Sequence, residues 1–322
     1  MIRVFEAFSG YGSQSMALER LKQDYPQFDY EVVGISEIDK YAVKAYNATH
    51  KPTTNYGDIC LIDWDRVPDF DLFTYSFPCQ DISSAGKQKG LEAGSGTRSS
   101  LLWECKKAIE EKRPKYLLME NVKALVSKKF ISHFNDWLLY LERLGYSNFW
   151  KVLNAKDYGV PQNRERVFVV SILGNNEQYK FPNMFELKKR LSDVLEENIQ
   201  DCYKKNKAAK WILSKRGEKT LNMGFGQIDG DISICITSRG FNSWNCSYVT
   251  RKNGIVTILT NREVFRLMGV SETDIDKIQS AGISNSQQYK MAGNSIVIDV
   301  LYFIFKNLFF ERPKIFQLKL FK

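Results

Sequence analysis

The sequence predicts an α/β fold, a parallel sheet with helices on both faces, carrying a small irregular, mostly β unit inserted late in the chain. Three observations point there. Up to about residue 170, short apolar runs alternate with longer amphipathic ones. A glycine-bearing turn sits between the first run and the first helix. After Gly174 the rhythm stops, and helical alternation resumes only near Thr260.

Each element has its own signature. Residues 2–8, 31–35, 70–75, 116–120 and 166–173 are rich in β-branched and aromatic side chains, as strands are. Residues 13–23, 40–48, 101–112 and 131–144 repeat apolar positions three and four apart, the spacing of one helix face. Strands and helices in alternation imply parallel strands joined by crossover helices. Ligands of such sheets gather at the carboxyl ends of the strands. Between 175 and 260 the chain turns to Lys-rich segments, Gly-rich turns and short Thr/Ser/Ile runs, and 201–222 holds seven Lys or Arg against two acids. That charge run is either a solvated helix face or a polyanion contact. The apolar stretch 296–310 is too short to span a bilayer, is interrupted by Asp299 and Lys306, and reads as a buried helix. Residues 1–174 and 284–322 are therefore expected to form one domain, with 175–283 as an insert and hinge.

Composition narrows the function classes. With 322 residues, 43% hydrophobic and 26% charged, a sizeable core is expected. The net charge of +9 suits a polyanionic partner. Six cysteines without a CxxC pair and only two histidines, His50 and His133, argue against a metal site or a disulfide framework. The chain opens directly on a strand, so no signal peptide, no membrane and a cytoplasmic location are expected.

Several short motifs then bear on chemistry. In FSGYGS (8–13) glycine lets the backbone turn sharply and approach a ligand, though the third glycine of a dinucleotide fingerprint is missing. Glu37 in SEID and Asp58 in GDI fall where the next strands end; each is a surface acid or a ligand-binding carboxylate. Together the three favour an adenosine-containing cofactor. SFPCQD (76–81) sets Cys79 after a proline, either an ordinary turn cysteine or a thiol held rigidly for attack. Glu120 in MENV follows an apolar run; burial there raises a carboxyl pKa so that it can donate a proton. In QNRER, Arg164 and Arg166 stand two apart and share a face on a strand, either at a surface strand edge or opposite an anion or acid.

Taken in order, FSGYG, SEID, GDI, FPCQ, TRSSLLWE, ENV, QNRER, LTNREVFRLMG and QYKMAGNSI resemble the motifs of the DNA (cytosine-5) methyltransferases of bacterial or phage type. The resemblance covers all but the insert at roughly 175–256. It implies a Rossmann-like S-adenosylmethionine-dependent methyltransferase sheet and a small target-recognition domain. By that resemblance Phe8, Ser9, Gly10, Tyr11 and Gly12 form the turn around the methionine part of S-adenosylmethionine, with S-adenosylhomocysteine as product. Glu37 would hold the ribose, and Asp58 with Ile59 the adenine. Pro78, Leu101, Asn294 and Ser295 would complete the pocket. Two positions depart from the family pattern: Glu6 replaces a usual Asp, and Ile38 replaces a frequent aromatic that stacks on adenine.

The expected chemistry follows. Carbon 5 of cytosine is a poor nucleophile, so a thiolate, Cys79, adds first to carbon 6. Glu120 neutralises the charge developing at N3, Arg164 holds the O2 side, and Arg166 orients Glu120 or Cys79. Inside a duplex the base is out of reach and must be flipped. The loop 81–100 is expected to close over double-stranded DNA, with Gln80, Ser83, Ser84, Lys87 and Arg98 as contacts. From the insert, Ser238 and Arg239 are expected to reach the bases, Arg239 on a guanine. A monomer is expected, and a cognate restriction endonuclease is left open. Three competing readings are a thymidylate-synthase-like enzyme, an RNA cytosine-5 methyltransferase, and a regulator that keeps the fold without catalysis.

Overall fold

The structure, a computed structural model, describes residues 1–78, 101–174, 176–204, 207–241 and 244–311. The first half builds β1 (Ile2–Ala7), α1 (Ser13–Asp24), β2 (Tyr30–Ser36), α2 (Lys40–Thr49), β3 (Leu72–Tyr75), α3 (Cys105–Lys112), β4 (Tyr116–Val122), α4 (Ile131–Arg143), β5 (Tyr146–Asn154), β6 (Gln162–Asn163) and β7 (Glu165–Leu173). The main sheet has six strands in the order β2-β1-β3-β4-β7-β5.

Successive side chains on a strand face opposite ways, and the two core clusters divide accordingly. Val4, Leu72, Leu118, Phe168 and Val170 join one cluster, with Leu18 and Leu21 of α1. Phe5, Phe73, Leu117, Met119, Val167 and Val169 join the other, with Ile109 of α3 and Trp137 and Leu141 of α4. Both faces are covered, as the near-continuous apolar strands require. Trp137 donates to the Tyr75 hydroxyl at 3.1 Å, so its buried N–H is satisfied.

One expectation needs correction. The sheet is parallel only from β2 to β4; β7 runs antiparallel to β4 and to β5, and β5 was absent from the sequence reading. The cause is connection length. A parallel return needs a crossover of a dozen or more residues. β5 and β7 are instead joined by a short link containing the 3-10 turn Ala155–Tyr158, and Asn154 pairs with Glu165 across it.

The insert carries α5 (Asp201–Lys204), α6 (Lys207–Ile212), α7 (Lys215–Asn222), β8 (Gln227–Ile228), β9 (Ser233–Ile234), β10 (Ser247–Thr250) and β11 (Val256–Ile258). To the short strands expected there the structure adds three short helices. A small core of Tyr203, Ala209, Ile212, Cys246, Tyr248 and Ile258 holds them together. β9 pairs with β6, which stitches the insert to the main domain. The chain returns through α8 (Asn261–Arg266), α9 (Glu272–Ser280), α10 (Asn285–Asn294) and α11 (Ile298–Phe309). Ile298, Leu301, Ile304, Phe305 and Leu308 are buried, so α11 is a core helix packed over α1.

Arg251 and Glu263 form a buried bidentate pair at 2.6 and 2.9 Å where the insert ends. Glu263 also caps α8 reciprocally with Thr260. This pair fixes the geometry at which the insert rejoins the core.

Candidate active site

The carboxyl ends of β1 to β4 open into one cleft of about 520 Å³. Volumes of this order suit cofactor-sized ligands. Phe8, Ser9 and Gly10 line it just after β1, Glu37 and Ile38 after β2, and Asp58 and Ile59 beyond. Pro78, Leu101, Glu120, Arg164, Arg166, Asn294 and Ser295 complete the expected residues found on its walls.

The turn after β1 is built for close approach. Phe8 and Gly10 adopt positive φ, 55° and 58°. A Cβ on Gly10 would meet nothing within 4 Å, so that backbone faces open space. Both Glu37 oxygens are engaged, one by Gly10 N–H at 2.9 Å and one by Asp39 N–H at 2.7 Å. The carboxylate thus braces the turn while facing the cleft. Ser9 is buried, yet its hydroxyl oxygen finds no partner among the described residues. A buried hydroxyl without a partner on a cleft wall fits a polar ligand. The donor set, two carboxylates with exposed Ile38 and rigid Pro78, suits the ribose and adenine of S-adenosylmethionine.

Tyr11 and Gly12 stand elsewhere. Tyr11 is fully buried, edge-on to Phe265 at 5.6 Å. A Cβ on Gly12 would lie 2.2 Å from His50 Nε2, so this glycine serves packing behind the turn. The periodicity of the motif could not separate cleft-facing from core-facing positions. Glu6, the departure from the family pattern, is also behind the turn. It accepts from Ser15 Oγ at 2.9 Å and from Tyr46 OH at 3.2 Å. Burial pushes its carboxyl up to about 7.

At the other end of the cleft, Glu120 is buried and lies 3.3 Å from Arg166 Nε. Burial raises the Glu120 pKa, only partly offset by Arg166, Arg164 and a hydrogen bond from Ser76. The carboxyl that borders the cleft is therefore protonated more readily than a free one. The antiparallel course of β7 makes this possible. Val122 pairs with Arg166, so the beginning of β7 meets the carboxyl ends of the parallel strands.

Arg164 is 3% exposed. Its Nη1 donates to the Ile236 carbonyl at 2.8 Å, and its Nη2 to the Gly293 carbonyl at 3.1 Å and the Ser295 carbonyl. The expectation that its guanidinium holds the substrate's O2 therefore meets terminal nitrogens already committed to backbone. Cys235 of the insert lies 3.4 Å from Arg164 Nη1 and 3.8 Å from Arg166 Nη2. Burial opposes ionisation of this thiol, but the two arginines outweigh it and lower its pKa.

Cys79, Gln80, Ser83, Ser84, Lys87, Arg98 and the loop 81–100 lie outside the described residues. Asn121, however, donates to the Phe77 carbonyl at 2.9 Å and fixes the segment that leads to Cys79. In the insert, Arg239 is exposed on the turn closed by Gly240 N–H to the Thr237 carbonyl, with half-buried Ser238 before it. Sequence reasoning missed Asn121, although it sits inside MENV. It also missed Lys290, which lines the cleft and pairs with Asp39 at 2.6 Å, and Asn55, which braces Glu37 through both backbone groups. Asn121, within MENV, and Lys290, within QYKMAGNSI, lie inside motifs; nothing in the pattern around Asn55 marked it.

Comparison with known proteins agrees with this geometry. The protein-family model for the C-5 cytosine-specific DNA methylase matches residues 2–309. The chain is 42% identical to "Type II methyltransferase M2.ScrFI" of Lactococcus lactis subsp. cremoris, over 96% of this chain and 99% of that one. It is 33% identical to "Type II methyltransferase M.HhaI" of Haemophilus parahaemolyticus, over 95% and 94%. It is 32% identical to "Orphan methyltransferase M.SssI" of Spiroplasma monobiae, over 93% and 95%. Among solved structures, the Entamoeba histolytica methyltransferase EhMeth superposes with a TM-score of 0.79 at 20% identity, covering 96% of this chain and 98% of that one. Similarity along nearly the whole length places this chain in the C-5 cytosine-specific DNA methylase family.

Proposed function

We propose that this chain transfers the methyl group of S-adenosylmethionine to carbon 5 of a flipped-out cytosine in a specific short double-stranded DNA sequence, through a covalent bond between Cys79 and carbon 6. The observation that carries this reading is the meeting, in one cleft, of the braced glycine turn and the buried Glu120–Arg166 pair.

When bound, S-adenosylmethionine supplies an electrophilic methyl group. Phe8, Ser9 and Gly10 would hold its methionine end, Glu37 its ribose, and Asp58, Ile59, Ile38 and Pro78 its adenine. Leu101, Asn294 and Ser295 would close the remaining wall. Cys79, stiffened by Pro78, attacks carbon 6. Its addition leaves negative charge on the ring, which Glu120 relieves by placing its retained proton at N3. Arg166 holds Glu120 in place, its Nη1 being itself anchored on the Glu165 carbonyl at 2.8 Å. Carbon 5, made nucleophilic, would accept the methyl group that S-adenosylmethionine supplies, leaving S-adenosylhomocysteine, and loss of the C5 proton to solvent and of the Cys79 thiolate would then restore the aromatic ring.

Arg239 and Ser238 of the exposed turn, with the Lys-rich helices of the insert, are proposed to meet DNA. Residues 1–174 and 284–322 are proposed as the catalytic domain, with 175–283 as the target-recognition domain and hinge. The protein works as a monomer in the bacterial cytoplasm, host- or phage-encoded. Type II and orphan enzymes both stand among its relatives, and a cognate restriction endonuclease would accompany the first kind.

The test is transfer of tritium from methyl-labelled S-adenosylmethionine to duplex DNA or to tRNA. Label is expected in DNA alone, and Cys79→Ser is expected to abolish it while cofactor binding persists. Full turnover by Cys79→Ser, or label in tRNA only, would sink the reading. Bisulfite sequencing of a plasmid carrying the gene then identifies the target site.

A further inference from the structure

The terminal nitrogens of Arg164 are committed to backbone carbonyls, its Nε finding no partner among the described residues, and those carbonyls come from two distant segments. Ile236 belongs to the insert, just before the turn that presents Arg239. Gly293 and Ser295 belong to the C-terminal wall of the cofactor cleft. Ile236 is gripped from its other side as well, since its N–H donates to Gln162 Oε1 at 3.0 Å. Gln162 is fully buried and donates in turn to the Leu267 carbonyl at 2.7 Å.

No slack separates the two segments. A Cβ on Gly293 would lie 2.2 Å from Ser238 N and from Thr237 C. A Cβ on Gly240 would lie 2.8 Å from the ring of Tyr289, one of the helix residues leading to that wall. Tyr289 is buried, and its hydroxyl donates to the Leu259 carbonyl at 2.9 Å, so it cannot swing aside. A shift of the cleft wall must therefore move the exposed turn, and the reverse. The two arginines of QNRER divide the work, Arg166 reaching Glu120 and Arg164 reaching the joint.

We propose that Arg164 is a positioning residue that couples the recognition turn 237–240 to the cofactor wall 293–295, so that occupancy of one site tightens binding at the other. The inference rests on the functional reading above. A coupling free energy between two sites is reciprocal, so each ligand changes the other's affinity by the same factor. A lysine at this position carries one ammonium and cannot span three carbonyls in a fixed fork.

The experiment measures the dissociation constant of a fluorescein-labelled duplex bearing the mapped target site, with and without saturating S-adenosylhomocysteine. For the unaltered protein, a tightening of about tenfold or more is expected, the equivalent of about 1.4 kcal/mol. In Arg164→Lys the ratio is expected to fall to within about twofold of one. Gly240→Ala, which forces the joint apart from the insert side, is expected to do the same. It decides alone should Arg164→Lys fail to unfold cooperatively. Unchanged coupling in either folded variant would overturn the proposal. So would a ratio near one in the unaltered protein, or a loss of kcat in Arg164→Lys with coupling intact, which would put Arg164 on the base. An unaltered protein that transfers no label to DNA would sink the functional reading, whereas an active protein without coupling sinks only this joint.

Discussion

The parallel half of the sheet, β1 to β4, and the antiparallel pair, β5 and β7, do different work on one cleft. Around the ends of the parallel strands the cleft is lined by Gly10 after β1, Glu37 after β2 and Asp58, which caps a 3-10 turn well before β3 rather than ending that strand as expected. The antiparallel strand contributes its beginning, which brings two arginines beside a buried acid. A strictly parallel β7 would put Arg164 and Arg166 at the far edge of the sheet. Reversing one strand is thus what sets a buried ion pair, Glu120 and Arg166, at the end of the cleft. On the proposed function, the difference assigns binding and chemistry to separable halves.

That separation can be broken or sharpened by substitution. The largest effect is expected from Glu120→Gln, which keeps the shape but cannot deliver a proton. It should lower kcat by about a hundredfold to ten-thousandfold with little change in cofactor KM. In the unaltered protein, activity should fall as pH rises through the raised Glu120 pKa, and a pH–rate profile of the variant should lose that limb. A cofactor KM that rose in step would show that the halves are not separable.

On the parallel half, Glu37→Ala removes the acceptor for Gly10 and Asp39 N–H groups and the proposed ribose ligand. Loss of charge-assisted hydrogen bonds of this kind costs about 1.5–3 kcal/mol, so KM for the cofactor should rise about tenfold to a hundredfold. Steady-state kinetics in cofactor and DNA separately would expose a kcat effect instead.

Glu6 tests the ground beneath the turn. Its carboxyl, pushed up to about 7 by burial, keeps a proton in the native state that the unfolded chain releases near 4.5. Native stability should therefore fall as pH rises between those values, by on the order of 3 kcal/mol. Urea unfolding of Glu6→Gln across this window should show a flattened slope; an unchanged slope would remove Glu6 from the account. The smallest effect is expected from Lys290→Ala. Its half-exposed pair with Asp39 contributes about 0.2–1 kcal/mol, so cofactor KM should shift no more than about fivefold.

The same division explains what the sequence made legible. Strand ends carry short, ordered signals, and Phe8, Glu37, Asp58, Glu120 and Arg166 all reach the cleft they were expected to line. Tyr11 and Gly12 did not, because a turn of positive φ faces two ways and spacing does not say which. The strand β5, YSNFWKVLN, mixes polar and apolar residues because it is a sheet edge with Trp150 and Lys151 exposed, and so lacks the apolar run that marks inner strands. Side chains that hold backbone, such as Asn55, Gln162 and Arg164, were misjudged or missed. Their partners are carbonyls and amides far along the chain, which no local pattern encodes.

The late return of α10 and α11 has a consequence in time. The cleft wall at Asn294–Ser295 and the helix over α1 come from the end of the described chain, whereas the turn they face is made first. Domains fold as units during synthesis, largely from the amino terminus. A growing chain therefore carries the glycine turn, the acid and the arginines well before it has the wall and the joint. The cleft is therefore completed only after residues 293–295 join strands made much earlier in the chain.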